Sequence, residues 1–299
     1  MKGVSINMKN ILEVTGLKKQ YKNFNLKNID FSLPEGCVTG FIGTNGAGKT
    51  TTIKSILDIT HPDKGDIKFF GKSSEKNLRE IKNRLGVVFD DSYFYDELTM
   101  AEMKSIIAPA YSRWSDEKYK FYMEKFNLNP YQKIATLSKG MKTKFSLVLA
   151  LSHEAELLIM DEPTSGLDPL MRSQLLEILK EYMKEGGKGV FFSTHIVSDL
   201  EKIADMLILI DNGEILVKEE KDVLLDKYRK IKGDINLLND SYKKLFLTLK
   251  VTDYGFTGIT SHTREFENGA NNIVVERPTL EEIMLAYIGR RRGNVDSFN

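Results

Sequence analysis

Short apolar runs alternate with turn residues in the first part of the chain, a pattern that predicts β-strands. Apolar residues group at 11–14, 26–31 and 38–42, and a Pro-Glu-Gly turn at 34–36 separates the last two runs. The third run leads into a glycine-rich segment and then into residues 51–59, whose apolar residues recur at helical spacing. We therefore expect a strand, a glycine loop and a helix in direct succession.

Helical periodicity replaces this pattern over residues 97–130, after a strand pattern at 85–89. Beyond residue 137 the predicted elements are helices at 142–151, 170–184 and 197–204 and strands at 157–160, 189–193 and 206–209. Alternation of this kind is typical of a parallel sheet covered by helices. The sequence therefore predicts an α/β fold with a helical insert.

The pattern changes again at about Asp222. In order, the chain then shows a charged helix-like piece, a β-rich stretch at 245–256, a turn at Asn268 and Gly269 and a strand at 273–276. A last helix is predicted to open at Thr279, because Thr279 and Glu282 have the spacing of a capping box. These elements predict a small α+β extension.

Length and composition are those of a globular chain with about two domains. At roughly 150 residues per domain, 299 residues allow one large core and a smaller unit. Hydrophobic residues make up 41% and charged residues 28%, so disorder does not describe the bulk of the chain. We predict a core at 1–90 and 138–221, a helical subdomain at 91–137 and an accessory region at 222–299.

Charge and cysteine content exclude several classes of function. Lys and Arg total 43 against 42 Asp and Glu, so no overall basic field would hold the chain on nucleic acid or anionic lipid. Cys37 is the only cysteine, which excludes an internal disulfide and, with four histidines, leaves too few ligands for a Cys/His zinc site. No apolar run is long enough to span a membrane, and residues 1–10 lack the apolar core of a secretory signal. We expect a cytoplasmic protein with no nucleic-acid partner.

The glycine-rich segment matches the phosphate-binding loop G-x-x-x-x-G-K-[ST]. Its fixed positions are Gly43, Gly48, Lys49 and Thr50, and its variable ones Thr44, Asn45, Gly46 and Ala47. Backbone N–H groups at such a helix start cradle phosphates, the lysine reaches the β- and γ-phosphates, and the hydroxyl binds magnesium. The alternative is a glycine-rich surface turn, but the flanking strand and helix favour the loop. The segment predicts a nucleoside triphosphate site with Mg²⁺.

Two adjacent carboxylates, Asp161 and Glu162, follow the apolar run at 157–160. Ligands of parallel sheets bind at the carboxyl ends of the strands. Asp161 is predicted to bind the magnesium ion, directly or through water, as the corresponding aspartate does in nucleoside triphosphatases. Glu162 is predicted to act as general base on the attacking water. The alternative is that the pair only caps the next helix.

Several further motifs resemble those of one family. Besides the two above, the chain has LSKGM at 137–141, SGLD at 165–168 and STH at 193–195, in the positions of a signature loop, a D-loop and a switch. Over residues 12–218 the sequence resembles the ATP-binding subunits of ABC transporters. The resemblance implies a P-loop NTPase of the ABC ATPase type, with a RecA-like parallel core, an antiparallel β subdomain and a helical insert.

The resemblance also implies that two copies, identical or related, hold ATP between them. One copy contributes Gly43–Thr51, and the other contributes Ser138 and Gly140 at a helix start, where the dipole favours phosphate. In this scheme Asp168 touches the opposite protomer, and His195 contacts the γ-phosphate and orients the water. The alternative for His195 is a satisfied residue at a strand end.

Four positions need separate comment against the family pattern. Lys139 and Met141 replace a glycine and a glutamine of the signature loop, and Lys139 could attract the partner's phosphates or point to solvent. Asp90 stands where a glutamine usually links magnesium to the helical insert, with Asp91 as a rival and a plain turn residue as the alternative. Tyr21 occupies the place of the ring under adenine, unless it is a core aromatic.

The altered signature loop, the acid at position 90 and the segment 275–288 resemble bacterial exporters in which ATPase and membrane subunits are separate chains. These include exporters of antimicrobial or cytolytic peptides that confer self-protection. The resemblance implies ATP hydrolysis coupled to an integral membrane permease, with the chain peripheral on the cytoplasmic face and its membrane contact indirect. An importer ATPase, a soluble ABC ATPase and a subunit that binds ATP without hydrolysing it stay as alternatives.

Contact with the permease is predicted to run through the insert. Residues near 92–111 carry more apolar side chains than one core face needs, and we expect some of them to form a docking groove for a partner helix. They are Phe94, Tyr95, Leu98, Met100, Met103, Ile106, Ile107 and Tyr111.

Overall fold

The computed structural model describes residues 9–90, 93–267 and 272–291. The chain divides into two compact units, the first ending at Lys218 and the second beginning at Glu219. Asp91 and the turn predicted at Asn268 and Gly269 lie outside the described residues.

The first unit contains two sheets and seven α-helices within the described residues. Its strands are β1 Asn10–Gln20, β2 Asn25–Pro34, β3 Val38–Ile42, β4 Lys64–Phe69, β5 Lys72–Ser73, β6 Leu85–Val88, β7 Leu157–Asp161, β8 Gly189–Thr194, β9 Met206–Asp211 and β10 Glu214–Glu220, the last two residues of which belong to the second unit. Its helices are α1 Lys49–Ile56, α2 Ser74–Lys82, α3 Met100–Ile107, α4 Asp116–Lys125, α5 Lys139–Ser152, α6 Pro169–Met183 and α7 Val197–Ile203.

The larger sheet has the strand order β10-β9-β3-β8-β7-β6, and the strands from β9 to β6 are parallel. Strands β3, β7 and β8 are buried over their whole length, as continuous apolar runs in parallel sheets are. In the register, Ile42 lies opposite Thr194, and Asp161 lies opposite Ser193. The carboxyl ends of these three central strands therefore meet at one edge, where the glycine loop begins.

The smaller sheet is antiparallel with the order β2-β1-β4-β5. A shared core joins it to the parallel sheet: the ring of Phe191 lies 5.5 Å from that of Phe31 and 5.1 Å from that of Phe41. These three rings come from β2, β3 and β8. Such aromatic packing stabilises the position of β3 beneath the loop that follows it.

The helical insert consists of two separate helices where the sequence predicts one periodic stretch. Helix α3 opens with a capping box of Thr99 and Glu102 and is followed by a 3₁₀ turn, Ala108–Ala110, whose proline limits helical extension. Trp114 lies in the connection before α4. None of the helices in the described part of the chain is long and apolar enough to cross a membrane.

The second unit is an antiparallel sheet with helices. Its elements are α8 Lys221–Lys227, β11 Arg229–Gly233, α9 Asp240–Lys243, β12 Phe246–Thr252, β13 Gly255–Thr260, α10 Arg264–Glu267, β14 Ile273–Glu276 and α11 Leu280–Arg291, and the strand order is β12-β13-β11-β14. The β-rich stretch predicted at 245–256 is the first strand of a hairpin and the start of the second, because the chain turns at Asp253 and Tyr254. The capping box of Thr279 and Glu282 is confirmed, with bonds of 3.0 and 3.2 Å.

The buried side chain of His153 should make the stability of the fold depend on pH. His153, at the end of α5, is 1% exposed and stacks on Tyr111 with ring centroids 3.8 Å apart. Burial lowers the pKa of His153 to about 4. Between about pH 4 and 6.5 the folded state then binds fewer protons than the unfolded state. The free energy of unfolding therefore has its full value with respect to His153 above pH 6.5 and decreases as the pH falls below that value.

We expect the free energy of unfolding to fall by about 2 kcal/mol between pH 7 and pH 5 on account of this one group. Denaturant unfolding of wild type and His153→Phe at both pH values measures it, since phenylalanine keeps a ring on Tyr111 and does not titrate. The exposed His61 supplies the control, because His61→Phe should leave the pH dependence in place. Equal pH dependence in wild type and His153→Phe would contradict the expectation.

Candidate functional site

The loop between β3 and α1 needs its glycines. Gly46 and Gly48 have φ values of +78° and +113°, and Gly48 immediately precedes the first residue of α1. A Cβ at Gly43 would lie 2.4 Å from the carbonyl oxygen of Ile210, and one at Gly48 would lie 2.7 Å from the ring of Phe24. The loop is thus held tightly against its neighbours, and it ends at a helix N-terminus with N–H groups to offer an anion.

Lys49 is a buried cation positioned over this loop. Its side chain is 6% exposed, and its Nζ donates to the carbonyl oxygens of Gly43 at 2.8 Å and Thr44 at 3.3 Å. The same ammonium lies 3.1 Å from Oε1 of Glu162. Since a buried charge needs partners, these contacts fix the ammonium where the loop meets the end of β7.

Asp161 ends β7 and is almost fully buried. The hydroxyl of Ser193 donates to its Oδ1 at 2.6 Å, and the Thr50 hydroxyl also hydrogen bonds to this carboxyl group. Burial raises the pKa of Asp161 above its ordinary value, while the bonds from Ser193 and Thr50 act in the opposite direction. A nearby cation would stabilise the charged carboxylate further.

Glu162 connects two other predicted residues, Lys49 and His195. It has the left-handed φ of +50°, which is uncommon outside glycine and often marks a functional position. Its Oε1 faces Lys49, and its Oε2 lies 2.8 Å from Nδ1 of His195 and 3.3 Å from the backbone nitrogen of the same residue. Its own N–H donates to the carbonyl oxygen of Ser193 at 3.0 Å. The carboxylate therefore bridges an ammonium and an imidazole.

A cavity of about 790 Å³ brings these groups together, within the range of pockets that take small molecules. Predicted residues on its wall are Tyr21, Thr44, Asn45, Gly46, Gly48, Lys49, Thr50, Thr51, Asp90, Glu162 and His195. Four others on the wall were not predicted as site residues: Asn23, Phe24, Ser165 and Asn212. Ser165 belongs to the SGLD motif, whereas Asn212 reaches the cavity through the turn between β9 and β10, for which no motif exists. Gly43 and Ala47 are buried.

Tyr21 lies at the rim of this cavity. Its side chain is 43% exposed, so the core-aromatic alternative is wrong. The Nζ of Lys19 lies 5.8 Å from its ring centroid. A half-exposed ring at the mouth of a polar cavity can stack on a planar base.

Ser138, Gly140 and Asp168 are not on the wall of this cavity. Ser138 caps α5, since its hydroxyl accepts from the N–H of Met141 at 3.2 Å. Asp168 caps α6 by accepting two backbone N–H bonds of 3.0 Å. Within one subunit Ser138 and Asp168 therefore cap helices and do not line the cavity.

Lys139 and Asp90 form an ion pair with each other. Asp90 lies on the cavity wall, and Lys139 is the first residue of α5. The Lys139 ammonium is therefore paired with a carboxylate of its own subunit, and it is neither free in solvent nor an unpaired charge facing a second subunit. No sequence pattern predicts this contact between positions 49 residues apart.

Comparison with known proteins identifies the family of this chain. The sequence model of the ABC transporter family matches residues 26–165. The bacitracin transport ATP-binding protein BcrA of Bacillus licheniformis is 30% identical over 94% of this chain and 98% of its own length. The chain belongs to the ABC transporter ATP-binding proteins.

Two further relatives of this ABC ATPase support the assignment. The linearmycin resistance ATP-binding protein LnrL of Bacillus subtilis is 35% identical, over 69% of this chain and 68% of its own. A solved structure of an ATP-binding subunit of an ABC transporter is 32% identical, covers 72% of this chain and 92% of its own, and superposes with a TM-score of 0.66. The predicted fold, with its parallel core and antiparallel sheet, is confirmed.

Membership establishes the activity of this ABC ATPase. It binds ATP and hydrolyses it. ATP-binding subunits of the family work with membrane permease components.

Proposed function

We propose that this ABC ATPase is the motor subunit of an exporter that removes amphipathic antimicrobial peptides. The similarity to BcrA is the main support for the proposal. It covers 94% of the chain, whereas the first unit ends at Lys218, so the similarity extends into the second unit. The similarity to LnrL covers 69% and supports the antimicrobial class. In this proposal the region at 222–299 is an accessory to the core at 1–90 and 138–221 and to the helical subdomain at 91–137.

Two copies, identical or related, would hold ATP between the cavity of one and the signature loop of the other. Support comes from the start of α5, a helix of 14 residues whose first turn follows Ser138 and whose N-terminus favours phosphate. Gly140 lies in the first turn of α5 beside Ser138, and Asp168 caps the start of α6. The subunit would lie at the cytoplasmic face of the membrane, joined to it through the permease.

The oxygen ligands beside the loop fit Mg²⁺. A hydroxyl, Thr50, and a carboxylate, Asp161, already contact each other at the end of β7. Across the described ranges, no group of three or more His, Cys, Asp or Glu side chains could hold a metal. Few protein ligands suit Mg²⁺, which keeps several waters and takes phosphate oxygens as well. The ion would neutralise charge on the phosphates, and Asp90 on the cavity wall is a further candidate ligand.

The remaining polar groups have distinct roles in hydrolysis. Lys49 would bind the β- and γ-phosphates through the ammonium already fixed over the loop. Glu162 would accept a proton from the attacking water, and His195 would hold both that carboxylate and the γ-phosphate in place. Tyr21 would stack on adenine at the cavity rim.

An apolar groove on the helical insert is the proposed contact with the permease. A second cavity of about 220 Å³ is lined mainly by apolar and aromatic side chains of the insert and α5, among them Phe94, Met103, Ile107, Tyr111 and Leu149. Of the residues predicted for docking, Met100 is fully buried and belongs to the core, whereas Tyr95 and Ile106 are exposed. Such a groove fits an amphipathic helix from a partner chain.

Resistance of the host cell tests this function. Deleting the chain should sensitise the organism that encodes it to a bacitracin-like cyclic peptide, and Ile107→Glu should do the same, because a charge in the groove opposes docking of an apolar helix. Minimum inhibitory concentrations of the peptide measure both effects. We expect these concentrations to decrease about tenfold if the free energy of coupling between the ATPase and the permease falls by about 1.4 kcal/mol or more.

The exposed Ile59, which is absent from the groove lining, supplies the matched control Ile59→Glu, with no expected change in resistance. Unchanged peptide sensitivity after deletion would exclude the peptide-export proposal. Sensitivity after deletion but not in Ile107→Glu cells would exclude the groove as the docking site.

A further inference from the structure

The ion pair between Asp90 and Lys139 joins two positions that both depart from the usual family residues. The carboxylate follows β6 and the ammonium belongs to the first residue of α5. Their side chains are 38% and 44% exposed, so water screens the pair and its contribution to folding stability is small. The pair connects the end of β6 to the start of α5.

Lys139 contacts a second loop of the site through its aliphatic stem. A Cβ at Gly166 would lie 3.4 Å from Cδ of Lys139, so the stem passes directly over this glycine. The next residue, Gly140, is equally close to that loop, since a Cβ there would lie 3.2 Å from Cδ2 of Leu167. The start of α5 is therefore seated on the segment that contains Ser165, a residue of the cavity wall.

We propose that Lys139 is a positioning residue that ties the start of α5 to the nucleotide cavity through Asp90. Asp90 lies on the cavity wall, where a triphosphate and its cation would change the local field, and its Oδ1 accepts a hydrogen bond from the Lys139 ammonium. The orientation of the signature loop then depends on what the cavity contains. This inference rests on the proposed ATP-bound dimer, in which that loop completes the partner's site.

The same helix offers a matched comparison. Lys142, one turn further along α5, forms an ion pair of 2.9 Å with Asp96. Neither residue of this second pair lies on the wall of the nucleotide cavity. Variants of this second pair test whether any ion pair near the start of α5 has the same effect.

A double-mutant cycle on steady-state ATP hydrolysis tests the proposal. Asp90→Asn and Lys139→Met should each lower kcat about fivefold, the upper range for an exposed ion pair, with little change in KM. The double variant should be no slower than the slower single variant, because each change already breaks the pair. Lys139→Arg, which keeps the charge, should retain most of kcat. Lys142→Met and Asp96→Asn should not change kcat.

Other outcomes would overturn the proposal. If the two effects multiply in the double variant, or if only one of the single variants lowers kcat, the residues act separately. Single variants with unchanged kcat, or equal losses in the Lys142 and Asp96 variants, would also exclude a specific link. The proposed ATP-bound dimer fails in a different way: Glu162→Gln would then stay monomeric with ATP and Mg²⁺ in size-exclusion chromatography.

Discussion

Glu162→Gln is expected to reduce ATP turnover by about 10²- to 10⁴-fold, the range that general-base catalysis supplies. Glutamine has nearly the same shape, so it fits between Lys49 and His195, but its amide cannot take a proton from water. Steady-state phosphate release measures the loss. Glu177→Gln, an exposed glutamate on α6, should hydrolyse ATP like wild type.

The same substitution is expected to trap an ATP-bound dimer. Removing the carboxylate takes one negative charge away from the place of the γ-phosphate and leaves the Lys49 ammonium without its 3.1 Å partner, so ATP should bind at least as tightly. Size-exclusion chromatography with ATP and Mg²⁺ should show a dimer for Glu162→Gln. A monomer with normal turnover would contradict both the base and the dimer.

Sequence patterns predict the parts of this site that depend on local chemistry. The phosphate loop needs glycines at particular φ values and a helix directly after it, so its motif specifies both the geometry and the position of Lys49. The capping box of α11 is predicted in the same way, because its bonds join residues three apart. Alternation of strands and helices then specifies the parallel core.

The unpredicted features depend on contacts between distant residues. β11 lies between β13 and β14, yet only Ile231 of its five residues is fully buried, and charged neighbours hide its strand pattern. Asn212 reaches the cavity because the N–H of Gly213 bonds to the carbonyl oxygen of Ala47 at 2.9 Å. The contact between Asp90 and Lys139 is of the same type, since two charged side chains with ordinary surface exposure carry no pairing signal.

Lys49→Ala is expected to weaken ATP binding by about 3 kcal/mol, or roughly a hundredfold in Kd. The substitution removes a charge-assisted contact to phosphate from a nearly dry position, where the lysine is 6% exposed. It also leaves the Glu162 carboxylate without its neighbouring ammonium, which adds repulsion toward the phosphates. Calorimetry with ATP measures the affinity, and Lys54→Ala on the same helix, outside the cavity wall, is the control.

A second substitution separates the two causes. If repulsion by Glu162 contributes, Glu162→Gln should raise the affinity for ATP by a larger factor in Lys49→Ala than in wild type, because only Lys49→Ala leaves the carboxylate uncompensated. If only the lost contact to phosphate matters, Glu162→Gln should change affinity by the same factor in both backgrounds. Unchanged affinity in Lys49→Ala would contradict the phosphate-binding role itself, whatever the double variant does.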